Sequence, residues 1–336
     1  MLAEINRVNP LSQSIELGPA QPRLIHDRVI DVSRTVVSLG PLATEQVAEC
    51  IRSGLMNFYA EHETPEENLA NDITGLPTMV ARLDATVDHY GNIVPLEVEE
   101  RPNGVGIVEE ILKPEDNIGI VTPIIDHYGS LIGRLPVVLA SEQRLATDDS
   151  AYLEVRHFGD IPEADQPVLF RAEPSDLEDY PMYVIGNSVS SAKDEGRKAY
   201  RTRTGHAKKI QSLDGLPGRD ASFVLKGKQG SKSQRVAIQL SPHDRLELGR
   251  RVTLTRKDIL ATAARYIAED GSVLVEPLRR PIAARVNDRQ AHMILRIYSL
   301  VTNPDEIRVL GGVHVSREEM LVYGAPHAII GPVVLE

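Results

Sequence analysis

Apolar and polar positions alternate most clearly between residues 80 and 99. Residues 80–88 (Val-Ala-Arg-Leu-Asp-Ala-Thr-Val-Asp) predict a strand, Asp88 to Asn92 a turn, and Ile93 to Glu99 a return strand. Upstream the period changes. Val47, Ile51, Leu55 and Phe58 recur at helical spacing and predict a helix from about Thr44 to Ala60. Residues 1–40 show neither period and read as an irregular arm with one strand near Arg28 to Val32. Glu61 to Gly75 is acidic and reads as a loop or a short helix.

Further along, residues 104–150 predict short helices with a strand at Pro136 to Ala140, and a helical stretch opens at Ser141. Pro167 to Arg171 reads as the next strand, so this part has the strand, helix, strand order of a small α/β unit. Tyr183 to Gly186 predicts a short strand, followed by a helix through about Ile210. Ser222 to Lys226 and Gln234 to Leu240 form a strand and its return around a glycine-bearing loop. Val273 to Pro277, Met293 to Leu300 and Ile307 to Val315 predict three more strands, the last containing Gly311-Gly312.

A chain of 336 residues is long enough for two or three domains with substantial cores, and 42% hydrophobic and 25% charged residues are ordinary for a globular protein. No run reaches the ~18–20 apolar residues of a membrane span. The start of the chain lacks the layout of a secretion signal. The single cysteine, Cys50, cannot form an intrachain disulfide, so nothing argues for secretion and the chain reads as cytoplasmic. A net charge of -11 and the absence of tryptophan disfavour nucleic acid and anionic membranes as partners. The basic residues are nevertheless concentrated between residues 193 and 257.

Two clusters carry candidate chemistry. In the hairpin of residues 80–99, Asp84 and Glu97 face each other across the ladder and Glu99 shares Glu97's face. Three carboxylates so placed repel unless a cation sits between them, and hard oxygen donors are what Mg2+ takes. Arg82 projects on the face of Asp84, where it can reach an anion held by that metal. A solvated hairpin with charges on its outer face is the plainer alternative. In the second cluster, the loop Gly227-Lys228-Gln229-Gly230-Ser231-Lys232-Ser233 can wrap backbone N–H groups and ammonium heads around a phosphate chain, although it does not fit the Walker pattern. A solvated lysine-rich tip is the alternative there. Glu276, at the end of its strand before Pro277, can offer backbone edges to an adenine ring or be an ordinary strand end. His89, His127, His206, His292 and His314 lie near these regions and read as structural or solvated.

The order of these parts resembles the circularly permuted ATP-grasp family, the arrangement of glutathionylspermidine synthetase and related short carboxylate–amine ligases. The resemblance spans roughly residues 40–336 and rests on order and spacing. It implies an α+β ATP-grasp fold of circularly permuted order, with the nucleotide between two antiparallel sheets. The parts implied are an N-terminal arm (1–40), a metal-binding part of the body (41–110), an α/β substrate-side domain (111–190), a lysine and lid subdomain (191–275) and the rest of the body (276–336). Arg82-x-Asp84 and Glu97-x-Glu99 resemble the family's metal strands, with Glu99 standing where asparagine is usual. Lys193 resembles the first nucleotide lysine, although Lys198, Lys208 and Lys209 remain alternatives. Lys226 resembles the second, and the loop with Lys228, Gly230 and Ser231 resembles the lid. Glu276 falls at the adenine-facing hinge, and Arg296 resembles the arginine that contacts the phosphates.

What the resemblance implies is an ATP- and Mg2+-dependent ligase that joins a small polar carboxylate to an amine through an acylphosphate. Asp84, Glu97 and Glu99 would hold Mg2+, Lys193 and Lys226 would counter phosphate charge, and Arg82 and Arg296 would serve catalysis. Whether copies associate into a homo-oligomer is left open. Two rival readings stand beside it. One is an ATP-binding protein of the same fold without ligase activity, which Glu99 favours. The other is an α/β protein whose acidic hairpin binds a metal structurally.

Overall fold

The computed structural model describes residues 2–5, 15–26, 28–61, 69–76, 78–88, 90–99, 102–113, 119–140, 146–157, 166–171, 208–227, 236–244, 255–286, 289–318 and 328–336. In chain order the elements begin with β1 (Leu2–Ile5), β2 (Ile15–Leu17), β3 (Ala20–Ile25), β4 (Arg28–Ser33), β5 (Val36–Leu39), α1 (Pro41–Glu61) and α2 (Leu69–Thr74). Next come β6 (Val80–Val87), β7 (Ile93–Glu99), α3 (Val105–Leu112), α4 (Val121–Ile132), β8 (Val137–Ala140), β9 (Glu154–His157) and β10 (Val168–Arg171). The remainder is β11 (Lys208–Ile210), β12 (Phe223–Lys226), β13 (Val236–Gln239), α5 (Arg256–Asp270), β14 (Val273–Pro277), β15 (Ile282–Val286), β16 (Arg289–Asn303), β17 (Glu306–Arg317) and β18 (Ile329–Leu335).

The fold is mixed α+β, built on a curled sheet of eleven strands. Its centre is β16, which pairs antiparallel with both β17 and β6; β6 in turn pairs with β7. A second sheet of three strands runs β10-β8-β9 with both pairs parallel. A third, of four antiparallel strands, runs β11-β14-β12-β13. Among the described residues no helix is long and apolar enough to cross a membrane.

The alternation along β6 is used in full, because this strand is buried on both faces. Ala81, Leu83, Ala85 and Val87 enter one core with Val47, Ile51 and Leu55 of α1. That helix shows every fourth position to the sheet, as its sequence period requires. Val80 enters a second core on the other face, with Tyr298 and Leu300 of β16 and the apolar sides of α3 and α4. The turn after β6 closes on Asp88, whose Oδ1 accepts the backbone N–H groups of Tyr90 and Asn92, each at 2.9 Å.

Several sequence expectations need correction. The strand expected near Arg28 to Val32 is β4, but the other described residues of the first forty are not irregular: β2 lies parallel to β15, while β4 and β5 lie parallel to β18. These strands are too short to show a period of their own, and partners from the far end of the chain complete their ladders. The helical stretch expected from Ser141 is, over the described residues 146–157, a 3-10 turn at Asp149–Ala151 followed by β9. The helix expected to run to Ile210 does not reach it, since Lys208–Ile210 is strand β11. Helix α5 was not foreseen, although its signals are present. Thr255 and Asp258 form a reciprocal capping box, and Ile259, Ala263 and Tyr266 are its buried side.

Gly311 and Gly312 serve the centre of the sheet. Gly311 has φ +112° beside a register shift at Tyr298/Ser299, the conformation of a glycine bulge. A Cβ on Gly312 would collide with the backbone carbonyl of Arg296 on the facing strand. Gly312→Ala is therefore expected to lower stability by about 1–3 kcal/mol, seen as a reduced urea midpoint. An unchanged midpoint would contradict the close approach.

His314 is fully buried on β17, and its Nε2–H donates to the Thr35 carbonyl at 3.2 Å. Burial pushes its pKa down to about 4. The unfolded chain therefore binds a proton that the folded chain refuses between about pH 6.5 and pH 4, and stability falls as pH drops through that window. The loss attributable to this one imidazole is on the order of 3 kcal/mol. Burial lowers His127 and His292 as well. His314→Gln should flatten the pH dependence of urea unfolding over that range. A slope equal to the parent's would show that His314 is not its main source.

Candidate functional site

Arg82 and Asp84 are both buried within a strand, where an unpaired charge is costly. The pairing of β6 with β7 sets Arg82 opposite Glu99 and Asp84 opposite Glu97. Pairing with β16 sets Arg82 opposite Tyr298 and Asp84 opposite Arg296. Directly opposed residues share a face, so all six side chains belong to one side of the sheet. A register shift between Asp84 and Ala85 places a bulge in β7 immediately beside the cluster.

The guanidinium of Arg82 is the hub. Its Nε donates to Asp84 Oδ1 at 2.7 Å and its Nη2 to Asp84 Oδ2 at 3.3 Å. Nη2 also pairs with Glu99 Oε2 at 2.5 Å, and Nη1 donates to the Asn103 carbonyl at 3.3 Å. Burial works against the charge on Arg82, but Asp84 and Glu99 outweigh it and hold the pKa well above its ordinary value. The same Asn103 carbonyl accepts from the Tyr298 hydroxyl at 2.7 Å. Burial raises the Tyr298 pKa against the opposing pull of Arg82 and Arg296, so the phenol keeps the proton it donates. Arg296 Nε pairs with Asp84 Oδ2 at 3.5 Å and makes no hydrogen bond among the described residues.

Asp84 and Glu99 of the acidic hairpin thus both pair with a cationic side chain of the same hairpin, Arg82. Among the described residues, no three His, Cys, Asp or Glu side chains gather as a metal-holding group. The donor chemistry still suits a hard divalent cation. Asp84 and Glu99 already converge on a single positive group, and Glu97 is next to them in register.

The third sheet carries the lysines. Its core side packs Phe223, Leu225, Val273 and Val275 against Ile259, Ala263 and Tyr266 of α5. On the opposite face, Lys226 and Lys209 both stand across from Leu274, and Glu276 follows two residues along β14. Lys226 Nζ pairs with Glu276 Oε2 at 2.9 Å. Of the alternatives for a first lysine, Lys209 therefore shares a face with Lys226, a placement that only the β11–β14 register reveals. Lys193, Lys198, Lys228, Gly230 and Ser231 lie outside the described residues, as do His89 and His206.

A linker joins this sheet to the charged cluster. Between β14 and β15, the Arg280 carbonyl accepts the hydroxyl of Thr86, two residues beyond Asp84 on the same face of β6, at 2.9 Å. The Arg280 side chain pairs with Asp244. Asp244 also accepts from the Ser222 and Ser241 hydroxyls, next to the paired ends of β12 and β13. Burial opposes ionisation of Asp244, but these hydrogen bonds and Arg280 prevail and lower its pKa. Sequence reading singled out none of Thr86, Asp244 and Arg280, because their meeting depends on three separate elements.

No protein-family model matches the sequence, and no curated protein matches it. Among solved structures, the chain is similar to an apo-form glutathione synthetase-like effector from Globodera pallida. The identity is 10% and the TM-score 0.44, with 89% of this chain and 88% of that one covered.

The shared carbonyl of Asn103 yields a prediction. Tyr298→Phe should cost about 0.5–1.5 kcal/mol, the worth of one buried hydrogen bond, without unfolding the protein. Its effect in urea unfolding should be larger when Arg82 is already replaced, because the Asn103 carbonyl then loses both donors and is left unsatisfied. Strictly additive effects would show that the two do not act through Asn103.

Proposed function

We propose that the chain is an ATP-dependent carboxylate–amine ligase of ATP-grasp type that joins a small polar carboxylate to an amine. The observation that carries this reading is spatial. Strand β6 brings Asp84 and Arg82 to Arg296, Glu97 and Glu99, and two residues further on it is tied to the linker of the lysine-bearing sheet. Phosphoryl transfer asks for this combination of acidic metal donors and basic phosphate partners, since its catalysis is mostly positioning and charge neutralisation.

In this reading Asp84, Glu97 and Glu99 would hold Mg2+, which when bound shields charge on the phosphate oxygens. Lys226 and a second lysine, Lys209 or Lys193, bind the phosphate chain. Glu276 orients Lys226 before the nucleotide arrives. Arg296, whose Nε pairs with Asp84 but makes no hydrogen bond to the described residues, takes a phosphoryl oxygen. The γ-phosphoryl group passes to the substrate carboxylate, giving an acylphosphate and ADP; the amine then attacks the carbonyl carbon and releases phosphate. Arg82 stabilises the negative charge that develops there.

A second reading, nucleotide binding without ligation, is favoured by the way Arg82 already neutralises Asp84 and Glu99.

Mg-ATP should stabilise the protein by about 2.7 kcal/mol at a hundredfold excess over Kd. Lys226→Ala should weaken nucleotide binding by about tenfold, the worth of a charged hydrogen bond. A panel of amino acids, polyamines and short peptides, assayed for ADP release with mass spectrometry of products, should show an amide. ADP without condensed product across the panel would favour the second reading. Neither heat nor a melting shift with Mg-ATP would overturn both.

A further inference from the structure

A guanidinium has five N–H groups in a rigid fork, and Arg82 commits four of them. Asp84 takes two, Glu99 one and the Asn103 carbonyl one. The Arg82 side chain is 9% exposed, so these contacts are shielded from solvent. A divalent cation cannot engage Asp84 and Glu99 while this charge sits between them. Two positive groups would then share the same oxygens at contact distance, in surroundings that screen repulsion poorly.

We propose that Arg82 is a resident counter-cation of the acidic cluster, one that must leave Asp84 and Glu99 before a divalent metal can bind there. This rests on the reading of Asp84, Glu97 and Glu99 as metal ligands. In the free protein Arg82 closes the site and offsets the repulsion between carboxylates. An arriving triphosphate offers a denser set of anionic oxygens and draws the guanidinium outward. Asn103 is the pivot, because its carbonyl is held in place by Tyr298 and already accepts Nη1. Metal and nucleotide then bind as a unit, and metal alone binds weakly. Bare metal is therefore kept from the site until phosphate is present. The departing arginine is delivered to the phosphate chain by the same motion.

The test is Mn2+ binding to the full chain, followed by the loss of the free-ion signal in electron paramagnetic resonance. Without nucleotide, Arg82→Gln should bind Mn2+ at least tenfold more tightly than the parent protein, with Arg82→Lys in between. A non-hydrolysable ATP analogue should raise the parent's affinity to that of Arg82→Gln while leaving the variant's little changed. The gain should vanish in Arg82→Gln/Asp84→Asn. Equal Mn2+ affinity in the parent and Arg82→Gln, with loss of binding in Asp84→Asn, would overturn the exchange and leave the metal reading standing. If Asp84→Asn changes nothing in any background, the carboxylates are not ligands and both ideas fall. Should Arg82→Gln not fold, as judged by circular dichroism, Arg82→Lys carries the same comparison. It keeps the charge but cannot fork to both carboxylates.

Discussion

The antiparallel pairing of β6 with β16 is the constraint on which the rest depends. It joins residues more than two hundred positions apart and runs through strands covered on both faces, so its backbone groups have no water to fall back on. Once this ladder forms, Asp84 must stand opposite Arg296 and Arg82 opposite Tyr298. A slip by one residue would turn every charge on β6 into the core of α1 and every leucine and alanine out of it. The apolar half of β6 thereby specifies where the charged half can be.

That constraint puts two arginines and several carboxylates into a poorly solvated place. The cluster is tolerable because Asp84 and Glu99 pair with Arg82, Asp84 also with Arg296, and the Arg82 fork is almost fully used. Such a network is weak as a source of stability, since desolvation opposes the attraction. Its value lies in holding side chains in one geometry. Replacing it with apolar residues of similar volume would give an equally packed sheet without these charges.

Around this centre the fold spends regular structure on support and leaves chemistry at junctions. Helix α1 closes one face of the sheet and α3 and α4 the other, while Glu109 of α3 caps the start of α4 by accepting from the backbone of Ile120 and Val121. Asn103 and Gly104 at the entry to α3, the bulge in β7 and the Arg280 linker each border the charged cluster or the strand that carries it. Glycines at Gly311 and Gly312 admit the close approach of backbone behind it.

Much of this was legible in local pattern. The hairpin of β6 and β7, helix α1, and strands β8, β10, β12, β13, β14, β16 and β17 lie where the sequence pattern places them, because the apolar residues of each show it locally. The proximity of Asp84, Glu97 and Glu99, and their need for a cation, followed from strand geometry alone. Strand β4 was legible near Arg28 to Val32, but β2, β5 and β18 were not, since a short ladder owes its existence to a partner distant in sequence. Nor was the common face of Lys209 and Lys226, which depends on the order of β11, β14 and β12. The placement of Arg82 between Asp84 and Glu99 was decided last, and only in three dimensions. Sequence can require that buried carboxylates be neutralised, but whether Arg82 reaches an outside anion or folds back onto Asp84 and Glu99 depends on distances of a few ångströms set by packing.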